Sequence, residues 1–536
     1  MPISPPDPGT GTSTRRVARA FLTPLLVLST LALPACANLP DRAERRPELA
    51  FPDTASSSLG KAIAPELDAH PNLSGFYPLP DGEEAFLARV LLADLAQRSL
   101  DVQYYLFHTD SAGTALVHHL LEAAERGVRV RLLLDDMGTS GKDRQIAALN
   151  THPDIEVRIF NPFARNTMRL SQFLSRYGRV TRRMHNKSFI ADNQFAILGG
   201  RNIGNEYFGT DEDTAFSDLD IVVAGPAVQD ASDAFDLYWN SELAYRIDDL
   251  KQFDFSTAEI TAGLQRLDRH RLTPENPPYS SFLEDSRLAR ILIGEKGKLY
   301  WGNARVIYDH PDKLHDDPGN KENHLVPQLK SHIGGVGHEL IIFSPYFVPG
   351  RVGAELLSRL SMSGVRVRIL TNSLASTDVS MVHSGYVRYR KKLLKAGVEL
   401  YELNRTLDYR QRKEKRAGAG GTAKASLHTK SFVVDGRIVF VGSLNMDPRS
   451  IDQNTEIGVV IENESLGALM RDEFEAQVRQ GAFRLELYTR EDGATAIRWV
   501  GYEDGREVTY DTEPHAGFWR RVGLGFFRML PIESQL

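Results

Sequence analysis

An eighteen-residue pattern occurs twice in this chain, and it constrains the fold more than any other feature. His185, Lys187, Asp192, Gly199, Gly200 and Asn202 form the first copy, and His428, Lys430, Asp435, Gly442, Ser443 and Asn445 form the second, with identical spacing. A second repeat lies upstream of each, Gly127-Val128-Arg129-Val130-Arg131 and Gly364-Val365-Arg366-Val367-Arg368. The offsets between copies are 237 residues for this repeat and 243 for the longer pattern. Repeats at nearly equal offsets indicate an internal duplication, and 536 residues leave each half room for its own core.

The local text predicts what each half contains. Leu100 to Leu106 and Leu340 to Phe343 read as strands, Ala115 to Arg126 and Gly353 to Ser363 as helices, and Ile155 to Phe160 answers Val398 to Tyr401. That alternation predicts an α/β fold, a mixed or parallel sheet covered by helices on both faces. Along a strand side chains alternate, so His185 shares a face with Lys187, and His428 with Lys430. Asp435-Gly436 is a hairpin turn between Ser431 to Val434 and Arg437 to Val441, and Asp192-Asn193 plays the same part in the first copy. The return strands bring Asn202 and Asn445 back beside their own histidines, while Asp192 and Asp435 are expected to be structural. Third strands follow at Asp218 to Val223 and Glu456 to Ile461. Arg129, Arg131, Arg366 and Arg368 are expected at strand ends facing solvent.

Paired histidines, lysines and asparagines suit a pseudo-symmetric site that breaks a phosphodiester through a covalent phosphohistidine. One neutral imidazole attacks phosphorus and the other, protonated, donates to the departing oxygen. Lys187, Lys430, Asn202 and Asn445 would surround the non-bridging oxygens. The duplicated motif resembles the HKD mark of the phospholipase D superfamily. Arg183-Met184-His185-Asn186-Lys187-Ser188-Phe189, Gly199-Gly200-Arg201-Asn202-Ile203-Gly204 and Phe216-Ser217-Asp218-Leu219-Asp220 resemble its cardiolipin synthase C branch, and the likeness runs from about Phe86 to the C-terminus.

The resemblance implies a pseudo-symmetric duplication of two phospholipase D-type domains, each a mixed β-sheet flanked by helices. It implies a phosphatidyltransferase of the cardiolipin synthase type, with the phosphatidyl group carried on His185 and His428 acting as acid and then base. Sequence symmetry leaves the reverse assignment open. The alternatives are a phospholipase D hydrolase releasing phosphatidic acid and a phosphodiesterase acting on nucleic acid. An acidic residue supporting the catalytic imidazole maps onto Asp218 and Glu456, with Asp220 on the same face as Asp218. Expected partners are phosphatidylglycerol, phosphatidylethanolamine as a second donor candidate, and a membrane surface. The formal net charge of -6 argues against non-specific binding of nucleic acid through overall charge, and with no evident aromatic stacking platform for bases nucleic acid is not an expected partner. No cofactor is expected, and no metal, because no ligand cluster shows metal spacing in the sequence.

Arg165 to Arg183 and Arg405 to Lys424 are basic segments that fit an anionic headgroup surface beside the mouth of the site. Leu170, Phe173, Leu174 and Tyr177, interleaved with the first of them, favour lipid. His108, His118, His119 and His383 read as structural, His383 being also a candidate for the rim of the site.

At the N-terminus Arg15, Arg16 and Arg19 precede an apolar run from Ala20 to Ala32, which Leu33-Pro34-Ala35-Cys36 closes. This reads as a secretory signal ending at a lipobox, with the run too short for the roughly 20 residues of a membrane span. Cys36, the one cysteine, becomes the lipidated N-terminus and excludes an intramolecular disulfide. Ala37, by analogy with Gram-negative lipoproteins, points to the outer membrane and a protein facing the periplasm, a peripheral place at the inner membrane being the alternative. The expected divisions are a signal peptide (1–35), a tether (36–80), the first phospholipase D-like domain (81–255), a connecting segment (256–330), the second such domain (331–480), and C-terminal hairpins and a helix (481–536).

Overall fold

Valine, isoleucine and leucine runs form the strands because such side chains pack well on a pleated surface between two helical layers. The computed structural model describes residues 1, 39–40, 45–175, 177–211, 214–250, 256, 258–259, 262, 279–295, 298–317, 319–404, 424–503 and 505–529. Its first half contributes β1 (Ser74–Leu79), β2 (Ser99–Tyr104), β3 (Arg129–Asp135), β4 (Ile155–Phe160), β5 (Ser188–Ala191), β6 (Phe195–Gly199), β7 (Thr214–Ser217), β8 (Asp220–Ala224) and β9 (Ala244–Arg246). The second contributes β10 (Tyr300–Tyr308), β11 (Glu339–Phe343), β12 (Arg366–Asn372), β13 (Glu399–Leu403), β14 (Lys424–Leu427), β15 (Ser431–Val434), β16 (Ile438–Gly442), β17 (Ile457–Glu462), β18 (Ala482–Thr489), β19 (Thr495–Glu503) and β20 (Arg506–Tyr510).

Ladder pairing gives the first half the order β9-β4-β3-β2-β5-β6-β8-β1. The second half repeats it as β18-β13-β12-β11-β15-β16-β17-β10. In each, three parallel strands meet an antiparallel hairpin. β1 pairs antiparallel with β10, fusing the halves into one sheet, which β19 and β20 extend to 18 strands among the described residues. β7 and β14 form a separate parallel ladder between the halves.

Three expectations change. The stretch 36–80 is not a tether throughout: Ser58–Ala69 is a helix with Leu59 and Ile63 fully buried, and β1 lies inside the sheet. Their apolar residues, spaced for one helical face and one strand, outweigh the Pro and Ser around them. The connecting segment 256–330 likewise contains β10, the strand on which the second half is joined. Arg131 and Arg368 are 1% exposed instead of facing solvent. Arg131 pairs with Asp101 and Asp236, and Arg368 with Glu339 and Glu475, so each charge is neutralised where helix packs on sheet.

The C-terminal strands form a meander joined to β13, followed by a helix, Phe518–Met529. Among the described residues no helix is long and apolar enough to cross a membrane. Cys36 and residues 2–35 of the expected signal peptide lie outside the described residues, as do 405–423 of the second basic segment.

Candidate active site

Each motif is a hairpin whose turn requires positive φ: Asp192 and Asn193 at 51° and 50°, Asp435 and Gly436 at 51° and 64°. The turn frees the Asp carboxylate to cap a neighbouring strand. Asp192 accepts the backbone N–H groups of Gln97, Arg98 and Ser99 at 2.7–3.1 Å. Asp435 accepts those of Gly337, His338 and Glu339 at 2.7–2.9 Å. Both lie at the turn end of the hairpin, away from the histidines.

His185 and His428 stand just before β5 and β15, at the C-terminal edge of the parallel strands, and both are buried. Their carboxylate partners are exchanged between halves. His185 Nδ1 lies 2.8 Å from Glu456 Oε2, and His428 Nδ1 2.5 Å from Asp218 Oδ2. The backbone makes the same exchange: His185 N–H donates to Thr455 O at 2.8 Å and His428 N–H to Ser217 O at 2.7 Å. With Nδ1 engaged, Nε2 is the nitrogen left for chemistry on each ring.

Register decides between Asp218 and Asp220. Gly199 opposes Asp220 as Gly442 opposes Gly458, which makes Asp218 the counterpart of Glu456. Asp220 instead pairs with Arg89 at 2.7 Å and Arg201 at 3.5 Å.

The lysines are buried beside the rings. Lys187 Nζ donates to His185 O at 2.5 Å, and Lys430 Nζ lies 2.9 Å from His428 Nδ1 while bonding His428 O. Burial lowers both ammonium groups. Burial, with the charges of Lys187, Lys430 and His428, holds His185 well below the usual imidazole value. His428 is also lowered by burial and Lys430, with Asp218 pulling the other way. The carboxylates diverge: burial pushes Glu456 up to about 7 against Lys187, whereas His428 and Lys430 overcome burial and hold Asp218 below its ordinary value.

Asn202 and Asn445 are buried in the loops that follow β6 and β16. Asn202 accepts Leu106 N–H at 3.1 Å and donates to Tyr207 Oη at 2.9 Å, tying two site loops together. Asn445 Nδ2 reaches Ser450 Oγ at 3.4 Å, and its Oδ1 has no hydrogen-bond partner among the described residues.

Several site residues were missed. Asp135 accepts Met184 N–H at 2.9 Å and pairs with Arg183 at 2.7 Å. Asn372 accepts Leu427 N–H at 3.0 Å and donates to Leu427 O at 2.9 Å. Each pins the residue before a motif histidine, and the two sit 237 apart, so extending the Gly-Val-Arg-Val-Arg repeat to its strand end exposes them. Tyr105 packs edge-on against His185 at 5.0 Å, while Tyr207 and Phe216 pack against His428 at 5.3 and 4.9 Å. No spacing rule points to these.

The first basic segment departs from expectation. Arg165 and Arg169 bind Asp136, Arg183 binds Asp135, and Arg182 donates to the carbonyls of Leu314 and Asp316. These guanidinium groups hold loops in place and are not a free headgroup surface. His383 is buried against Arg390 at 2.7 Å rather than on a rim. Three clusters could geometrically share a cation: Asp94, His119 and Glu122; His108, Asp110 and Glu206; His383, Glu402 and Glu513. None includes a motif residue, and Arg390 supplies the positive charge in the third. A groove of about 970 Å³ lined by Leu49, Asn193, Asn240 and His310 holds none of the motif histidines.

A family model described as "Cardiolipin synthase, PLD-like domain" matches residues 91–239 and again 329–478, enclosing one motif each time. The chain is 41% identical over 477 residues to Cardiolipin synthase C of Escherichia coli (strain K12), covering 89% of this chain and 99% of that one. The chain belongs to the PLD-like cardiolipin synthase family. A further relative in Helicobacter pylori (strain ATCC 700392 / 26695), an uncharacterized protein, is 33% identical over 89% of this chain and 93% of its own. The crystal structure of phosphatidylserine synthase from Haemophilus influenzae Rd KW20 shares the fold, with a TM-score of 0.52 at 16% identity over 80% of this chain and 92% of that one. As a PLD-like family member the chain is an enzyme of the phospholipase D superfamily.

Proposed function

We propose that this enzyme is a phosphatidyltransferase of the cardiolipin synthase type, using His185 as nucleophile and phosphatidylglycerol as acceptor. The observation that carries the reading is the crossed pairing of His185 with Glu456 and of His428 with Asp218, which turns both Nε2 atoms to chemistry. The 41% identity to Cardiolipin synthase C along nearly its whole length supports the substrate class, phospholipids.

In the first step His185 Nε2 forms a bond to phosphorus, the bond to the headgroup oxygen breaks, and His428 gives its Nε2 proton to that oxygen. Glycerol leaves when the donor is phosphatidylglycerol, and ethanolamine when it is phosphatidylethanolamine. In the second step a glycerol hydroxyl of phosphatidylglycerol loses its proton to His428 and its oxygen attacks phosphorus. The phosphorus–nitrogen bond breaks and cardiolipin is released. Lys187, Lys430, Asn202 and Asn445 stabilise the charge that builds on the non-bridging oxygens.

The unequal carboxylates support this division of labour. A depressed His185 beside a Glu456 raised to about 7 rests as neutral imidazole, the form a nucleophile needs. An ionised Asp218 favours the imidazolium on His428, the form a general acid needs. Asp192 and Asp435 serve the fold and not the phosphate. We also propose that the chain is exported by the signal peptide at 1–35 and held through lipidated Cys36 at the outer membrane, facing the periplasm, with the domain divisions from 81 onward given above as its organisation. The lipobox text supports this, and the mass of the mature N-terminus tests it.

Purified enzyme is incubated with labelled phosphatidylglycerol, with and without phosphatidylethanolamine. Cardiolipin is the expected product. Phosphatidic acid instead would assign a hydrolase, and cleavage of DNA with inertness toward lipid would assign a nuclease.

A further inference from the structure

Two apolar prongs, one in the first half and one on the C-terminal helix, are rooted beside the strand ends that carry Asp135 and Asn372. On the helix Phe518–Met529, Phe518 and Trp519 are 70% and 80% exposed and Val522 47%. In the segment after β4, Met168, just before the helix Arg169–Ser175, and Leu170 in its first turn are 77% and 73% exposed. Scattered apolar side chains on a surface need no explanation, but these are grouped beside those strand ends.

Both prongs are anchored to the body through arginines that lie among the apolar residues. Arg520 donates to Leu374 O and Ala375 O at 2.9 and 3.0 Å, and Arg521 donates to Glu513 O at 3.0 Å. Glu513 is itself locked to buried Arg390 at 2.5 Å. In the other prong Arg169 binds Asp136 at 3.0 Å, and Gln172 ties down Ala164 from both ends of its amide. Each root is next to a clasp on a histidine: Leu374 lies two residues beyond Asn372, which pins Leu427, and Asp136 follows Asp135, which pins Met184.

We propose that these prongs are the surface by which the enzyme docks on the interface of a phospholipid bilayer, Phe518, Trp519 and Val522 on one side of the mouth and Met168 and Leu170 on the other. This rests on the phosphatidyl-transfer reading, and it adds the residues that meet the lipid phase. Trp and Phe rings favour the headgroup level of a bilayer, where the exposed Arg520 and Arg521 beside them meet anionic headgroups. On the phosphatidyl-transfer reading a phosphodiester has to reach the paired imidazoles, and a bilayer is the partner that supplies one, whereas a protein docked on both prongs does not.

The test uses the full chain and a variant with Met168→Ser, Leu170→Ser, Phe518→Ser and Trp519→Ser. Each is assayed on phosphatidylglycerol–phosphatidylethanolamine vesicles and on short-chain phosphatidylglycerol dispersed as monomers. Vesicle activity of the variant falls on the order of 10-fold or more, as loss of four buried apolar side chains requires, while monomer activity stays within about twofold. Brominated acyl chains quench the emission that Trp519→Phe removes. Vesicle activity within about twofold of the parent, or Trp519 emission untouched by brominated lipid, overturns the proposal. A change in oligomeric state with vesicle activity unaltered also overturns it, in favour of a second copy as the occupant. If the parent itself turns over neither lipid, the transfer reading fails, and the quenching result still judges the docking surface.

Discussion

Nδ1 of His185 lies 2.8 Å from Oε2 of Glu456, a residue 271 positions further along the chain. His428 and Asp218 repeat the relationship at 2.5 Å in the opposite sense. Each imidazole is therefore oriented by the other half, and the duplicated units depend on one another for chemistry as well as for the β1–β10 junction. In the proposed mechanism a phosphorus held between the two rings would meet a nucleophile from one half and a proton donor from the other.

Separate roles for the two rings give separable defects. Turnover of phosphatidylglycerol is expected to fall by about 10⁴-fold or more in both His185→Ala and His428→Ala. With a lipid p-nitrophenyl phosphodiester, whose leaving group needs no proton, His428→Ala retains a single-turnover burst of nitrophenolate and His185→Ala gives none. Rapid-quench measurement of the burst checks this, and the opposite result exchanges the assignments.

Asp218 raises the His428 pKa, so its charge has a sign in the pH profile. Removing it in Asp218→Asn makes the imidazolium less stable, and the proton is lost at lower pH. The alkaline limb of kcat is expected to move toward acid, with kcat down by about 10²–10⁴-fold, as for other carboxylate-oriented imidazoles. An unmoved limb would show that His428 is not the acid.

Much of this was legible before any coordinates. The hairpins, their turns and the facing of His185 with Lys187 follow from period-two alternation and from Asp-Asn and Asp-Gly at the turns. What sequence did not display is the exchange between halves, because strand spacing speaks only of neighbours along the chain. β7 and β14 pair residues 210 positions apart, and no local rule chooses that over pairing within a half. The buried Arg131 and Arg368 were misread for a related reason. Alternation shows that a side chain leaves one face of the sheet, but the helix bringing Asp236 or Glu475 to that face is a tertiary event.

Asp435 tests the structural reading of the motif aspartates. Against the upward push of its partial burial, the N–H groups of Glu339, Gly337 and His338 hold its carboxyl below the ordinary value. A depressed value means the stabilisation is fully present above the unfolded carboxylate pKa and disappears as pH falls through the folded one. Asp435→Asn is expected to lose about 1 kcal/mol at pH 7, after allowing for screening of a half-exposed group, and progressively less toward pH 3. Thermal denaturation across that range measures it, and kcat of the folded variant should stay near the parent value.

The two halves differ at one motif position, Gly200 against Ser443, and that difference predicts unequal tolerance. A Cβ on Gly200 would lie 2.3 Å from Asp218 Oδ1, so Gly200→Ser must displace the carboxylate that orients His428. Ser443 fits because its Oγ donates to Glu456 Oε2 at 2.5 Å and accepts Ile457 N–H at 3.0 Å. That hydroxyl is one of the groups pulling Glu456 down from where burial would leave it, at about 7 with Ser443 present. Ser443→Gly therefore raises Glu456 further, and the carboxylate that accepts from His185 Nδ1 forms only at higher pH. The ascending limb of kcat/KM is expected to shift to the alkaline side, activity at pH 7 falling by roughly 10-fold and returning as pH rises, since one pKa unit is a factor of ten. Gly200→Ser should show a loss on the order of 10²-fold that no pH restores, because its defect is a displaced group and not a changed proton affinity. Parallel pH profiles of the two variants separate these outcomes, and equal behaviour would mean that the hydroxyl at Glu456 has no part in setting the first imidazole apart from the second.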